Sequence, residues 1–271
     1  MRLTRRAALM TASASFILLG NIKSPSKTSG LQAGETGYVL RIIDGDSFVL
    51  GLENGEEISV RLSAVQAPRM ARRGETAWPY AAEAKAALSA LIKDRRLQLF
   101  YGADRRDRYG RAIAQVYTLD GQSRQDLWVQ AEMLRLGLVR AFSWKGELAD
   151  MDVLYRYERA AREKQRGIWA DPFYDIRKPD PDPLAQYVDS FQIIEGIVTS
   201  TADVRGRVYL NFGSDYKTDF TIAITKKNLK GFAKVDPVNL TGARVRVRGW
   251  IELINGPMIW LDHPGRLEVL S

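Results

Sequence analysis

A chain of 271 residues, 45% hydrophobic and 27% charged, is long enough for two packed cores and too apolar to be a disordered polymer. It has no cysteine and one histidine, His263, which excludes disulfides and thiolate metal sites and makes zinc a poor fit, so any metal would be a hard cation held by oxygen. The formal charge of +8 falls to +4 if residues 1–23 are removed, because Arg2, Arg5, Arg6 and Lys23 leave with no acid; nucleic-acid binding would then rest on local patches.

The chain begins with arginines at 2, 5 and 6 followed by an apolar stretch without acids. The expected role of residues 1–23 is an export signal, loosely of the twin-arginine kind, or an N-terminal anchor. The run is too short for a comfortable membrane span. Export to the periplasm, or tethering to a membrane through this segment alone, is the expected localisation. Residues 24–35, rich in Ser and Gly, read as a flexible tether.

From about residue 36 strand signals are dense. "GYVLRIID" leads into "SFVLGLENGEEISVRL", where Asn54-Gly55 offers the left-handed pair of a two-residue hairpin. Asp44 and Asp46 interrupt the first apolar run. Turn chemistry accounts for them, and so does a role as oxygen ligands of a cation. In "YAAEAKAALSALI" the period changes, and Ala84, Ala87, Leu88 and Leu91 fall on one helical face. Two more strands, "RRLQLFYG" and "GRAIAQVYTLDG", precede a helix predicted over "RQDLWVQAEMLRLG" and a longer one ending at Gly167. Five strands with an inserted helix and trailing helices suggest a small OB-type barrel.

The prolines of residues 172–190 predict an extended linker without helix. Beyond it, residues 191–271 carry five strand candidates, consistent with a second small OB-like β-barrel. Within them Arg244, Arg246 and Arg248 alternate with Val245 and Val247. The ordinary reading of such an arginine face is solvation; with Trp250 and Trp260 nearby, a nucleic-acid groove is the alternative.

Taken together, "IIDGDSF", "VRLSAVQAP", "DRYGR" at 107–111 and "LWVQAEMLRLGLVRA" resemble the staphylococcal-nuclease-like family, or thermonucleases, over residues 36–171. The resemblance implies an OB-fold phosphodiesterase that uses Ca²⁺ to cleave DNA and RNA. It places metal-binding carboxylates at Asp46 and Asp44 and phosphate-gripping arginines at Arg61 and Arg111. Always-charged guanidinium forks suit the negative charge that accumulates on a phosphodiester under attack. Tyr109 and Asp107 complete the turn, Tyr109 counted with Arg69 among the residues expected to touch substrate and Asp107 in a structural role.

Two positions depart from the family pattern of an acidic residue, a small residue, proline and glutamate, for this chain has Gln66, Ala67, Pro68 and Arg69. Gln66 stands where the resemblance implies a second charged ligand, which lowers the expected Ca²⁺ affinity to weak or absent. Arg69 stands at the general base, and a guanidinium accepts no proton at neutral pH. Phe142 and Trp144 fall near family tyrosines. Three readings follow: a working nuclease in which Glu75 or a metal-bound hydroxide replaces the base; a nucleic-acid or phosphate-binding protein that has lost hydrolysis; and an envelope interaction protein for which Arg69, Arg72 and Arg73 are a solvated loop.

Overall fold

The computed structural model describes residues 30–72, 74–146 and 148–270. Residues 1–23, expected to be an export signal or anchor, residues 24–29 of the expected tether, and Arg73 lie outside the described residues. Among those described, no helix is long and apolar enough to cross a membrane.

The alternation of apolar and polar residues gives β1 (Gln32–Asp44), β2 (Ser47–Leu52) and β3 (Glu57–Leu62), an antiparallel meander whose first strand already begins inside the expected tether. The β2–β3 connection is not the two-residue turn expected at Asn54-Gly55. Residues 53–56 form a four-residue loop in which only Gly55 is left-handed, while the Asn54 side chain accepts from the Glu56 amide. A two-residue strand, β4 (Val65–Gln66), precedes α1 (Ala81–Ile92). Ala84 and Leu88 of that helix are buried, and Ala87 and Leu91 pack beside them. Strands β5 (Arg96–Tyr101) and β6 (Ala112–Leu119) follow, and a parallel pairing of β3 with β6 closes five strands into a barrel. Its core includes Phe48, Leu62, Leu97, Leu99 and Val116.

The helix expected from Arg124 is shorter than its pattern. Residues Gln125–Trp128 form β7, held as a strand because Trp128 pairs with Tyr117 of β6 and stacks on its ring at 5.9 Å. Only α2 (Val129–Arg135) is helical. After β8 (Arg140–Ala141), which pairs with β4, comes α3 (Met151–Glu163).

Residues 172–190 are not an unstructured linker. Pro181 occupies the first turn of α4 (Pro181–Ala185), where its missing N–H costs no hydrogen bond. Leu184 is buried in the second core, and Arg177 exchanges backbone hydrogen bonds with Ile193 and Glu195. The C-terminal half is mostly β, with one short α-helix and three single 3-10 turns among the described residues. It comprises β9 (Phe191–Ile197), β10 (Ser200–Val204), β11 (Arg207–Asn211), β12 (Thr221–Ile224), α5 (Lys226–Leu229), β13 (Arg244–Trp250), β14 (Glu252–Ile254), β15 (Gly256–Leu261) and β16 (Leu267–Leu270). Two expected long strands each break in two. The eight strands make a five-stranded and a three-stranded sheet around one core.

Of the three arginines of β13 only Arg244 is solvated; Arg246 and Arg248 are buried. Arg246 stands opposite Glu195 on β9 and Glu268 on β16, and donates to Glu195 at 2.6 Å. Arg248 is 1% exposed and donates to both oxygens of Glu158 on α3 at 2.8 Å, and to Glu268. Glu158 is itself wholly buried and also accepts from the Ala141 amide and from Arg162. Tyr155 and Ser143 donate to the Gly265 carbonyl across the same boundary. The two halves are therefore joined by a buried, fully charged network, extended by a small apolar cluster in which Ile193 meets Ala161, Ile168, Trp169 and Tyr174.

Arg248→Met removes the guanidinium that holds both oxygens and leaves the buried Glu158 carboxylate with only Arg162 and the Ala141 amide, which should lower the unfolding free energy by about 3 kcal/mol. The readout is a lower urea midpoint at unchanged slope. Burial would raise the Glu158 pKa, but Arg248, its hydrogen bonds and Arg162 outweigh it and hold the carboxyl below its usual 4.5. A folded pKa below the unfolded one means that this stabilisation is complete above about pH 4.5 and is lost as pH falls beneath it. The deficit of the variant should accordingly shrink in acid. An unchanged midpoint at pH 7 would show that the halves do not depend on this pair.

Candidate functional site

Gly45 and Asp46 are the two turn residues between β1 and β2. A Cβ on residue 45 would lie 2.7 Å from the Ala84 Cβ and 2.8 Å from the Ala67 Cβ, so glycine is what allows α1 and the chain after β4 to close over the turn. That closure buries both aspartates. Asp46 accepts from the Ala67 amide at 3.1 Å and from the Ser47 hydroxyl at 2.9 Å, and its own amide donates to Asp44 at 3.2 Å. Desolvation, then the neighbouring Asp44 charge, push the Asp46 carboxyl up to about 6 despite Arg61 at 4.0 Å. Asp44 is paired with Arg72 at 3.2 Å.

Arg61, on β3 opposite Ser47, reaches from Asp46 into a cleft of about 600 Å³. Its guanidinium lies over the Trp144 ring at 5.5 Å. Arg111 lines the same cleft. It is aimed by Asp107, which accepts from the Arg111 Nε at 2.7 Å and caps the turn by accepting from the amides of Tyr109 and Arg111. Tyr109 lies between Arg108 and Arg111, with both guanidiniums over its ring. Arg106, Arg108 and Lys145 bring the cleft to five cations against the three carboxylates of Asp104, Asp107 and Asp262. The cleft is therefore net positive. Part of its lining belongs to the C-terminal half, through Trp250 and Asp262.

The remaining sequence-derived positions lie elsewhere. Gln66 turns its amide oxygen to Arg140, which donates from Nε at 2.8 Å. Arg140 is buried and pushed down to about 10 by desolvation, so it stays charged at neutral pH. Arg69 pairs with Glu75 at 3.2 Å and lies over the Trp78 ring. Phe142 packs in the interior against Phe191, leaving Trp144 as the cleft aromatic of that pair. Sequence reasoning missed Arg140, whose contact with Gln66 spans 74 positions and leaves no local signal. It also missed Arg106, Arg108 and Lys145; the first two could have been found from the density of arginines around "DRYGR".

Residues 59–171 match the family described as Staphylococcal nuclease homologue. The micrococcal nuclease of Shigella flexneri is 30% identical over 169 residues, covering 61% of this chain and 87% of that protein. The chain belongs to the staphylococcal nuclease homologue family. Within this family it is also similar to the probable endonuclease LCL3 of Leptosphaeria maculans, 38% identical over 120 residues, which are 43% of this chain and 39% of that protein. Endonuclease YncB of Bacillus subtilis is 33% identical over 136 residues, 49% of this chain and 61% of that protein. The chain spans about half or less of the length of the LCL3 relatives it matches.

Ca²⁺, which the nuclease family implies, does not fit the donors of this member. The ion takes about six to eight oxygens and favours formal charge among them. Here Asp44 is neutralised by Arg72, Asp46 is raised toward its protonated form, and the Gln66 oxygen is taken by Arg140. Among the described residues no three acidic or histidine side chains group as metal ligands.

Asp46 also sets a pH dependence opposite to that of Glu158. A folded pKa of about 6, above the unfolded 3.8, means that the fold is favoured while the carboxyl is protonated and loses that advantage as pH rises through about 6. Asp46→Asn should therefore stabilise the protein at pH 7 by about 1 to 2 kcal/mol, the gain from removing a buried charge less about one lost hydrogen bond. In thermal unfolding the gain should vanish near pH 4. Destabilisation at pH 7 would mean that Arg61 holds the carboxylate charged.

Proposed function

We propose that this member of the nuclease family binds nucleic acid in the cleft by gripping phosphate with Arg61 and Arg111, that the binding needs no divalent metal, and that hydrolysis is impaired. One observation carries the reading. The two arginine heads share a net-positive, aromatic-lined cleft, while the groups at positions 66 and 69 are bound to Arg140 and Glu75. Arginine forks in such a cleft bind phosphate through charge and paired hydrogen bonds. The charges of Asp44 and Asp46 meet guanidiniums of the chain itself, so no cation is required to balance them.

Impairment follows from position 69. Losing a positioned base typically costs about 10² to 10⁴ in rate, and Arg69 offers no proton acceptor. Glu75, its partner, is a carboxylate beside that position and supports the competing reading in which it serves as the base. The arginine-led apolar N-terminus supports action outside the cytoplasm, either exported or tethered at a membrane.

Labelled DNA and RNA incubated with the purified protein, in Ca²⁺, Mg²⁺ or EDTA, should be bound equally in all three and cut slowly or not at all. Binding should weaken steeply with salt, in proportion to the phosphates gripped. Gln66→Asp alone should restore little, because the new carboxylate would pair with Arg140. Combined with Arg69→Glu, it should raise Ca²⁺-dependent cutting more than either change alone. Robust Ca²⁺-dependent cleavage by the natural protein would overturn the impairment, and its loss in Glu75→Ala without loss of binding would assign the base to Glu75.

A further inference from the structure

The family match ends at residue 171, yet part of the cleft lining comes from beyond it. Trp250 closes β13 and is 44% exposed, a large apolar ring facing a cleft otherwise lined mostly with charge. The other cleft aromatics are engaged: Arg61 lies over Trp144, which also packs edge-on to Phe142, and Arg108 and Arg111 flank Tyr109. Among the described residues Trp250 has no ring stacked on it and no cation over it. Its indole offers an open π-face.

The backbone that carries it is anchored. Arg248, two residues earlier, is clamped by Glu158 and Glu268, and the Trp250 backbone is registered against Phe191 on β9. Lys145, next to Trp144 in the lining of the same cleft, donates to Asn228 of the C-terminal half at 3.1 Å. The lining from the two halves is thus held by contacts already made, not by a ligand.

An exposed aromatic ring lining the same cleft as two phosphate-gripping arginines matches the chemistry of a nucleotide, which offers a flat base and a charged phosphate on either side of its sugar. In a duplex the bases are stacked on one another and cannot meet a side chain from outside; in a single strand each base presents a free face. Resting on the phosphate reading of the same cleft, we propose that the C-terminal half completes the nucleic-acid site, with Trp250 stacking on a base of a single strand whose phosphates lie against Arg61 and Arg111.

The test uses the full chain and three labelled probes of equal length: a mixed-sequence single strand, a strand of abasic sugars, and a duplex. Trp250→Ala should weaken binding of the single strand by about 5- to 150-fold, the range typical of one lost base–aromatic stack. Affinity for the abasic strand and the duplex should stay as in the natural protein. The slope of affinity against salt should also stay, since no phosphate contact is removed. Trp250→Phe, which keeps a π-face, should recover most of the loss. If the alanine variant does not fold, Trp250→Leu, of similar apolar bulk without a ring, should behave as the alanine variant was expected to. Single-strand binding unchanged in the alanine or leucine variant would overturn the proposal and leave the phosphate reading standing. Equal weakening toward the abasic strand would overturn it too, by showing that Trp250 only shapes the cleft. Failure of the natural protein to bind any of the probes would instead overturn the phosphate reading, and this proposal with it.

Discussion

Glu158 is a buried carboxylate with more donors than a surface carboxylate ever collects, and the geometry of the cleft depends on it. Through one oxygen it accepts from the Ala141 amide, three residues before Trp144; through both it accepts from Arg248, two residues before Trp250. One side chain on α3 thereby fixes two short segments from opposite halves, each of which carries an aromatic ring into the same cleft. Neither segment could shift without stranding a buried charge. Such a pair adds little net stability, because removing both charges from water offsets most of their attraction; what is large is the cost of separating them. Arg248 accordingly stays charged, its pKa raised even though desolvation opposes it.

The same logic recurs around the β1–β2 turn with a different outcome. Asp44, Asp46, Gln66 and Glu75 face Arg72, Arg61, Arg140 and Arg69, so oxygens that could surround a metal are each engaged by a guanidinium. Not all of these pairs are equal. Arg69 and Glu75 are both well exposed and contribute little, whereas Asp44 and Asp46 are buried and cannot be left unbalanced. Asp46 is the least well served, with Arg61 at 4.0 Å and a second carboxylate beside it, and it is the one whose affinity for a proton rises. A site of this kind is suited to binding an anion through the outer side of its arginines. It is poorly suited to activating water.

Sequence and structure agree where the determining forces are local. The strands of the hairpins around residues 37–62 were legible from alternation, though not the form of the second turn, and the buried face of α1 from its period, because each depends on neighbours within a few positions. The "DRYGR" turn was legible for the same reason: Asp107 caps it and aims Arg111 within four residues. Where local signals competed with distant packing they misled. Residues 125–128 carry a helical pattern, yet Trp128 is drawn into the sheet by Tyr117. Alternating arginine and valine in β13 looks like any half-solvated strand, and only the arrival of α3 on its arginine side turns Arg248 into an interior residue.

What the sequence by itself determined is the family, the barrel that carries it, and the identity of the residues at positions 66 and 69, since these are properties of motifs read in order along the chain. Tertiary structure alone decided that residues 172–190 are bound rather than free, that the Gln66 oxygen belongs to Arg140, and that Trp250 lines one cleft with Arg61 and Arg111. Those facts join residues separated by 16 to nearly 200 positions, and no local pattern encodes them. They follow from the burial of charge, which is tolerated only where a partner from elsewhere in the chain arrives to meet it.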